Sequence, residues 1–330
     1  MKNAMHYKSE AEQTAVLHRK LQQQIARADK KKKEKKGKQT PMQAGARAYP
    51  AAPISKQHLK KPGNEKDLHF PPMCDAPYYK GSEKLKDKVA LITGGDSGIG
   101  RSIAILFARE GADIGIIYLS EHKDAEDTKK KVEKEGRKCM LFAGDVANPD
   151  FCKDVVAQTV KEWGRLDVLV NNAAFQLHVP DLDALSEEQF DCTLKTNLYG
   201  YFHMVKAAVP YMKSGSAIIN NGSVTGFQGS KELIDYSLTK GGIHAFTRSL
   251  GAHLAPKGIR VNAVAPGPVW TPLNPADKEI EDIVKFGDST LMKRAAQPEE
   301  IAPAFVFLAS PQTSSYITGE ILPVIGGYAG

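Results

Sequence analysis

From Lys88 onward, short apolar runs alternate with longer segments of helical spacing, and this alternation constrains the fold more than any other feature. Continuous apolar strands separated by helices are typical of a parallel sheet covered on both faces. The sequence therefore predicts an α/β fold with a single doubly wound parallel sheet and helices on both faces. The predicted strands are residues 89–92, 114–118, 139–142, 166–170, 216–220, 260–264 and 321–324.

Helices are predicted between these strands from periodicity and cap residues. Residues 98–110, 121–135, 155–163 and 234–254 have helical spacing, and Gly111 and Gly136 suit C-terminal caps. Ser186 and Gln189 belong to a capping box, which predicts the start of another long helix.

Composition divides the chain into three regions. Residues 1–40 form a basic, polar tail with few apolar residues, so we expect it to be mostly disordered or loosely helical. Residues 41–84 are rich in proline, which interrupts helices and sheets, and they predict an extended arm. The aromatic end of this arm, residues 70–79, is expected to lie against the folded body. Residues 85–330 contain the predicted α/β domain.

The net charge of +7 comes from the N-terminal regions. Residues 1–84 hold 19 Lys and Arg against 8 Asp and Glu, whereas the rest of the chain holds 26 against 30. This charge does not favour a nucleic-acid partner, since no aromatic residues are interleaved with the lysines as in single-strand binders. Tethering of the tail to a nucleic acid or another anionic surface remains an alternative.

Targeting and cysteine patterns favour a cytoplasmic protein. No run approaches the roughly 18 apolar residues of a membrane span, and the N-terminus has no apolar signal segment. The four cysteines, at 74, 139, 152 and 192, have no metal-binding spacing and are typical of reduced thiols. We therefore expect neither a membrane partner nor a bound metal.

A glycine-rich turn, Thr93-Gly94-Gly95-Asp96-Ser97-Gly98-Ile99-Gly100, follows the first predicted strand. Gly94 permits a tight turn, Gly98 allows the backbone to approach a pyrophosphate, and Gly100 allows close helix packing. The phosphates would lie at the helix N-terminus, where unpaired N–H groups favour negative charge. The turn therefore predicts a Rossmann-type dinucleotide site containing Gly94, Asp96, Ser97, Gly98, Ile99 and Gly100.

The end of the second strand bears on the choice between NAD and NADP. An acidic residue there binds the ribose 2′-OH, whereas a basic residue accepts a 2′-phosphate. Tyr118 occupies this position and is neutral; Lys123 could reach a phosphate, and Glu121 argues the other way. The sequence leans to NADP and leaves NAD open.

Two further strand ends carry candidate cofactor contacts. Asp145 and Val146 follow the third strand, where a carboxylate can hydrogen-bond the adenine amino group. Asn172 and Ala173 end the fourth strand at the expected crevice, although asparagines are also common turn residues.

Tyr236 and Lys240 lie four residues apart on the predicted helix 234–254, which puts both side chains on one face. A free tyrosine has a pKa near 10 and is a poor acid or base at neutral pH. A neighbouring ammonium favours the phenolate and lowers that pKa. The pair is therefore a candidate for general acid/base catalysis, although most such pairs are surface pairs without a function.

Several separated motifs in this order resemble those of the short-chain dehydrogenase/reductase family. They are residues 93–100, Asp145-Val146, residues 171–174, Asn197, Ser223, Tyr236 with Lys240, and Pro266-Gly267. The resemblance covers residues 86–330. Within the family the chain is similar to bacterial general-stress-like oxidoreductases with an N-terminal extension, because residues 72–79 match the segment before their Rossmann core.

The resemblance implies catalytic roles for four residues. Tyr236 would exchange a proton with the substrate oxygen, and Lys240 would lower its pKa and hold the nicotinamide ribose. Ser223 would orient the substrate carbonyl. Asn197 would kink its helix and hold a water that links Lys240 to solvent. Gly222 stands where many relatives have a first serine.

The resemblance also implies the surroundings of the nicotinamide and the assembly. Pro266, Gly267, Val269 and Thr271 would lie beside the nicotinamide, and residues 272–294 would form a mobile lid over the substrate. Phe175, Gln176, Phe227 and Trp270 are candidate pocket residues. Family members commonly form tetramers, so a homotetramer is expected.

These observations predict an NAD(P)-dependent oxidoreductase that transfers a hydride between the nicotinamide and a small carbonyl or alcohol substrate, with a tyrosine as acid/base. The alternative is a regulatory protein that binds NAD(P) with little catalysis. The presence of Asn197, Ser223, Tyr236 and Lys240 together argues against that alternative. The sequence does not identify the substrate, because one fold accepts many.

Overall fold

Seven parallel strands form one sheet in the part of the chain that the computed structural model describes, residues 40–54, 56–61, 63–278 and 280–327. Their order is β3-β2-β1-β4-β5-β6-β7, so the chain winds outward from β1 in both directions. The prediction of a doubly wound sheet is confirmed. The strands are β1 Val89–Thr93, β2 Asp113–Tyr118, β3 Cys139–Ala143, β4 Val168–Asn171, β5 Ala217–Asn221, β6 Arg260–Pro266 and β7 Ile321–Val324. The expectation for the tail falls on residues 1–39, which lie outside the described residues.

Helices connect these strands and cover both faces of the sheet. They are α1 Gly98–Arg109, α2 His122–Lys134, α3 Pro149–Trp163, α4 Glu187–Leu194, α5 Gly200–Ala208, α6 Thr225–Gln228, α7 Ile234–Leu254, α8 Ile280–Val284, α9 Pro298–Ala309 and α10 Pro311–Ser314. Single 3₁₀ turns lie at Glu65–Asp67, Val209–Tyr211 and Ala255–Lys257, and a π-helical segment, Lys195–Tyr199, joins α4 to α5.

Two helix predictions needed correction. Helix α3 begins six residues before the predicted start, because the Asn148 side chain accepts hydrogen bonds from Asp150 N and Phe151 N and caps it there. Ser186 caps α4 as predicted by accepting from Gln189 N. The Gln189 amide, however, donates to Leu177 O rather than completing the predicted capping box.

The core consists of two apolar layers, one on each face of the sheet. The first packs α1 and α9 against the sheet through residues such as Phe107 and Phe305, which are fully buried. The second packs α3 and α5 against the other face through Val156 and Met204. Burial of this kind is the main source of stability in such a fold.

The arm runs in an extended course along residues 272–294, which are the predicted lid. Its backbone donates three hydrogen bonds to the lid, from Met42 N to Met292 O (2.9 Å), Ile54 N to Val284 O (3.1 Å) and Leu59 N to Pro275 O (2.9 Å). An apolar cluster joins the two segments and contains Leu68, Trp270, Ile283 and Ala295, with Ile54, Leu59 and Phe286 packed against it. The lid of this chain is therefore bound to the arm.

The aromatic end of the arm contacts the body through side chains such as Cys74, Ala76 and Tyr79 more than through the Phe70 ring. The Phe70 ring is 55% exposed, whereas its carbonyl accepts a hydrogen bond from Trp270 Nε1 at 2.8 Å. Tyr79 donates its hydroxyl to the carboxylate of Glu110, which is fully buried. The expectation that residues 70–79 lie against the body is therefore met by Tyr79, whereas the Phe70 ring is only partly covered.

Buried carboxylates of the body take their partners from the arm. Glu299 has no exposed side-chain surface; it accepts from the Arg47 guanidinium and from Ala76 N at 2.8 Å. Glu110 accepts from Ser82 N and Lys84 N, each at 2.9 Å. A buried charge without partners is costly, so these contacts tie the arm to the stability of the domain.

No helix in the described part of the chain is long and apolar enough to cross a membrane. The same residues contain no group of three or more His, Cys, Asp or Glu arranged to hold a metal ion.

Two truncations separate the tail from the arm. Deleting residues 1–40 keeps every arm contact described above, so we expect the melting temperature and turnover of the full chain. Deleting residues 1–80 removes Arg47 and Ala76 and leaves the buried carboxylate of Glu299 without these partners. Removing one partner of a buried pair costs about 3–5 kcal/mol, so the melting temperature should fall by about 10 °C. Calorimetry checks both, and equal melting temperatures for the two truncations would contradict the arm's structural role.

Candidate active site

A cavity of about 630 Å³ lies at the carboxyl ends of the strands, where doubly wound sheets bind their ligands. Loops that follow β1, β2, β3, β4, β5 and β6 all contribute to its lining. Of the predicted site residues, Gly100 and Asn197 are not among the lining residues. The structure brings the others together around this cavity: Gly94, Asp96, Ser97, Gly98, Ile99, Tyr118, Asp145, Val146, Asn172, Ala173, Ser223, Tyr236, Lys240, Pro266, Gly267, Val269 and Thr271.

The glycine-rich turn brings α1 against the end of β1. A Cβ at Gly100 would lie 1.9 Å from the Gly94 carbonyl oxygen, so no side chain fits there. Gly94 also has a φ of +60°, a conformation that favours glycine. Asn172 Nδ2 donates to the carbonyls of Gly94 (2.9 Å) and Thr93 (3.1 Å), which fixes the turn to the end of β4. The predicted reasons for two of the three glycines therefore have direct geometric counterparts.

The N-terminus of α1 carries a contact that the sequence did not predict. Gly98 N donates to Glu65 Oε2 at 2.6 Å, and the other oxygen of this buried arm carboxylate binds the Arg101 guanidinium. Asp124 accepts from Glu65 N at 2.6 Å and holds the arm in place. One N–H group at the helix end expected to receive phosphates is therefore taken by the arm. The only local sequence signal is that Glu65 is the first acidic residue of the arm.

The end of β2 carries a neutral tyrosine and an acidic residue, the two kinds of group that bear on the choice between NADP and NAD. The Tyr118 hydroxyl lies 3.0 Å from His122 Nδ1. Glu121 lines the cavity, and its carboxylate accepts from Ser120 N and Ser120 Oγ. Lys123, which the sequence suggested could reach a 2′-phosphate, is not among the lining residues. Burial, with the charge of Glu121 adding to it, raises the pKa of Asp96 to about 7.

Ser223, Tyr236 and Lys240 meet at the opposite end of the cavity. Ser223 Oγ lies 3.0 Å from Thr225 Oγ1 and accepts from Thr225 N at 3.1 Å. Lys240 is 1% exposed; its Nζ donates to Asn221 O at 2.6 Å and lies 5.3 Å from the centre of the Tyr236 ring. Since Tyr236 and Lys240 are one turn apart on α7, the helix itself fixes their separation.

Burial shifts the pKa values of the tyrosine and the lysine in opposite directions. It lowers the pKa of Lys240 to about 7 and raises the pKa of Tyr236, although a hydrogen bond with Ser223 opposes the second shift. The predicted lowering of the Tyr236 pKa by Lys240 is not observed. A desolvated site disfavours both charged forms, so the neutral phenol and the neutral amine are each favoured.

Asn197 lies behind the cavity in the π-helical segment Lys195–Tyr199. Its side chain accepts from Phe175 N (2.8 Å) and donates to Phe175 O (2.9 Å) and to Thr239 Oγ1 (3.0 Å). The predicted irregularity of this helix is thus a π-helical turn, a feature often found at functional sites. Asn197 therefore links Phe175, in the loop after β4, to Thr239 of α7, the residue before Lys240.

The family model described as enoyl-(acyl carrier protein) reductase matches residues 94–329. General stress protein 39 of Bacillus subtilis (strain 168) is 50% identical over 279 residues, which cover 84% of this chain and 97% of that protein. The chain belongs to the short-chain dehydrogenase/reductase family. It is an NAD(P)-dependent oxidoreductase of that family.

One further relative and one solved structure agree with this assignment. NADPH-dependent aldehyde reductase 1, chloroplastic, of Arabidopsis thaliana is 44% identical over 283 residues, covering 84% of this chain and 98% of that protein. The crystal structure of a short chain dehydrogenase from Burkholderia cenocepacia J2315 in complex with NADP is 30% identical, with a TM-score of 0.69, and covers 74% of this chain and 98% of that one.

In this dehydrogenase the loop that carries Ser223 is shaped by a histidine that the sequence did not single out. A Cβ at Gly222 would lie 2.5 Å from His244 Nε2, and one at Gly226 would lie 2.6 Å from His244 Cε1. His244 follows Lys240 by one turn of α7 and is 3% exposed, and burial lowers its pKa to about 4. The missing first serine is therefore explained, because the imidazole occupies the space of that side chain.

The pocket residues differ in part from those predicted. Phe175 and Gln176 line the cavity, but Phe227 and Trp270 do not. Phe227 packs on His244 with ring centres 4.5 Å apart, and Trp270 belongs to the cluster between arm and lid. The lining residues that the sequence reasoning did not single out include Lys61, His178 and Lys278. Only the spatial arrangement of arm, lid and β4 loop brings them together.

Replacing Gly222 tests the role of His244. Gly222→Ala should overpack the loop and cost about 1–3 kcal/mol of unfolding free energy. In a His244→Ala background, where the imidazole is absent, the same change should cost far less. Urea unfolding of the four proteins gives the coupling between the two positions. An equal cost of Gly222→Ala in both backgrounds would show that His244 does not set the shape of this loop.

Proposed function

We propose that this oxidoreductase interconverts a small carbonyl compound and its alcohol, with Tyr236 as the acid/base. The observation that carries the proposal is the meeting of Ser223, Tyr236 and Lys240 at one end of a cavity whose other end has the glycine cradle of a dinucleotide site. The named aldehyde reductase of Arabidopsis, at 44% identity, supports reduction of a carbonyl.

The residues present fit a nicotinamide dinucleotide. Gly98 has a φ of +51°, and a Cβ there would lie 3.0 Å from the Thr271 side chain, so the cradle stays open only with glycine. Gly94, Ser97 and Ile99 would hold the pyrophosphate, Asp145 and Val146 the adenine, and Lys240 the nicotinamide ribose. The bound nicotinamide supplies the hydride chemistry, and the protein supplies orientation and proton transfer.

In this proposal the Tyr236 hydroxyl donates its proton to the substrate oxygen during reduction and accepts it during oxidation. Ser223 donates a hydrogen bond to the same oxygen and orients it. Lys240, with a pKa of about 7, can hold or release a proton at neutral pH and can return one to Tyr236. Asn197 holds α7 and the loop that follows β4 in place relative to each other.

Tyr236→Phe keeps the ring and removes the transferable proton. Loss of a general acid/base typically costs about 10²–10⁴-fold in rate, and we expect turnover of aldehydes to fall by at least the lower figure. Cofactor affinity, measured by quenching of protein fluorescence, should change little. A Tyr236→Phe enzyme within about threefold of the wild-type rate would rule out the assignment.

We also propose that the enzyme prefers NADP to NAD. Tyr118 itself provides no carboxylate at the end of β2, and burial leaves Asp96 largely uncharged below about pH 7, which reduces repulsion of a 2′-phosphate there; Glu121, which also lines the cavity, opposes it. Tyr118→Asp should lower kcat/KM with NADPH relative to NADH. Tyr118→Asn is the control, because asparagine is similar in size to aspartate but carries no charge. A wild-type enzyme that uses NADH far better than NADPH would contradict the preference.

Assembly, location and the domain boundaries also remain proposals. Exposed aromatic residues lie in two places. Tyr199 and Phe202 lie around the start of α5, and Phe307 and Tyr316 lie near the C-terminus. Such patches favour a homotetramer with one interface on the long helices and another near the C-terminus; a monomer by light scattering would exclude it. We propose a cytoplasmic enzyme made of the tail, the arm and the catalytic domain, with boundaries at residues 40 and 84.

A further inference from the structure

Two lysines from distant parts of the sequence line the cavity together with Ser223 and Tyr236. Lys61 belongs to the arm, and its Nζ donates to Gln176 O at 2.6 Å and lies 5.0 Å from the centre of the Phe175 ring. Lys278 belongs to the lid, and its Nζ lies 2.7 Å from His178 Nε2. Phe175, Gln176 and His178 belong to the loop after β4, so the two cations are anchored to one loop.

Hydrogen bonds of His178 and Asp277 connect the lid lysine to the loop after β4. An ammonium can only donate, so His178 Nε2 accepts from Lys278 and the ring proton is on Nδ1. Nδ1 of the same ring lies 2.6 Å from Asp277 Oδ2, and its N–H donates to that carboxylate. Asp277 also accepts from Gln176 Nε2 and from His178 N, each at 2.7 Å, and its side chain has no exposed surface. Lys61 and Lys278 therefore line the cavity, whereas the Asp277 carboxylate that binds the loop is not among the lining residues.

The carboxylates that do line the cavity lie at its other end. Asp96, Glu121 and Asp145 follow β1, β2 and β3, whereas the lysines adjoin the loop after β4 and the lid. Burial lowers the pKa of Lys61 and of Lys278; the charge of Asp277 opposes the shift at both lysines, and Asp282 and Glu232 also oppose it at Lys278. Asp282 and Glu232 are not among the residues lining the cavity, so the lining at the substrate end carries these two cations without a carboxylate, and a bound anion would stabilise them.

We propose that Lys61 and Lys278 select carbonyl substrates that bear an oxyanion group, a carboxylate or a phosphate. Each ammonium has three donors and uses one on the acceptor described above, so each has two left for a ligand. The anion would bind between arm and lid while the carbonyl lies at Ser223 and Tyr236. This inference rests on the proposed reduction of a carbonyl at Tyr236, and it makes the arm part of the substrate site.

The test compares substrates that differ in charge and little else. The pairs are 4-carboxybenzaldehyde with its methyl ester, and glyceraldehyde 3-phosphate with glyceraldehyde. We expect a higher kcat/KM for the anionic member of at least one pair, and which pair responds distinguishes carboxylate from phosphate. Lys61→Gln and Lys278→Gln should each reduce that preference about tenfold, mainly through KM, as expected for the loss of one charged hydrogen bond.

Matched controls come from the same two segments. Lys60→Gln removes a charge from the neighbouring, exposed position of the arm, and Lys285→Gln does so at an exposed position of the lid; neither residue is among those lining the cavity. Both should retain the wild-type preference. Lys61→Arg, which keeps the charge, should retain more of the preference than Lys61→Gln. A wild-type enzyme without preference, or a preference that Lys61→Gln and Lys278→Gln leave intact, would overturn the inference.

A binding measurement separates this inference from the proposed function. 4-Carboxybenzyl alcohol and its methyl ester can be titrated calorimetrically into the enzyme saturated with NADPH, a complex that cannot react. Tighter binding of the carboxylate, lost in Lys61→Gln, supports the inference even if no aldehyde is reduced, whereas absence of reduction counts against the proposed function alone. Equal binding of the two alcohols by the wild type, together with equal binding of glycerol 3-phosphate and glycerol titrated in the same way, would overturn the inference whatever the rates.

Discussion

The close contact between α1 and the end of β1 is the constraint on which the cofactor end of the molecule depends. The Gly94 carbonyl would lie 1.9 Å from any Cβ at position 100, so the helix can sit there only because the residue is glycine. Asn172 binds the same carbonyl, and Asn221 Nδ2 donates to Asn172 Oδ1 at 2.7 Å. One hydrogen-bonded chain thus links β1, β4 and β5, and the helix N-terminus is fixed relative to all three strands. A fixed N-terminus is what phosphate recognition by backbone N–H groups needs.

The arm connects the two ends of the cavity. Glu65 binds the backbone of Gly98 at the glycine turn, while Lys61 and Gly63 line the cavity itself. Three backbone hydrogen bonds then continue from the arm to the lid. A lid in this family is expected to move, and here its opening would require those bonds and the cluster around Trp270 to separate. The extension is therefore part of the active-site architecture, and the cofactor end and the substrate end share one structural element.

Local patterns were sufficient to predict the sheet and the spacing of the main motifs. Helix α7 was predicted with its observed ends, because its periodicity, and with it the pairing of Tyr236 and Lys240, is a property of the segment alone. Contacts such as those of Lys61 with Gln176, or of Gly222 with His244, join residues whose separation in sequence says nothing about their distance in space. Helix α9 escaped prediction although Gln297 and Glu300 form a capping box before its apolar face. The capping box was therefore a usable signal for α9. The exposure of Phe70, in contrast, could not be predicted from the apolar character of its side chain.

Burial gives the site its chemistry and weakens the fold at the same time. Asp96 has a raised pKa, so its contribution to the free energy of unfolding falls as the pH rises from 3.8 to about 7. Lys240 has a lowered pKa, so its contribution is lowest below about pH 7 and recovers as the pH rises toward 10.5. Both costs are therefore present around neutral pH, where the enzyme would need groups that exchange protons readily. Hydrogen bonds such as that from Lys240 to Asn221 offset part of the cost, and ligands that interact with Lys240 can offset more.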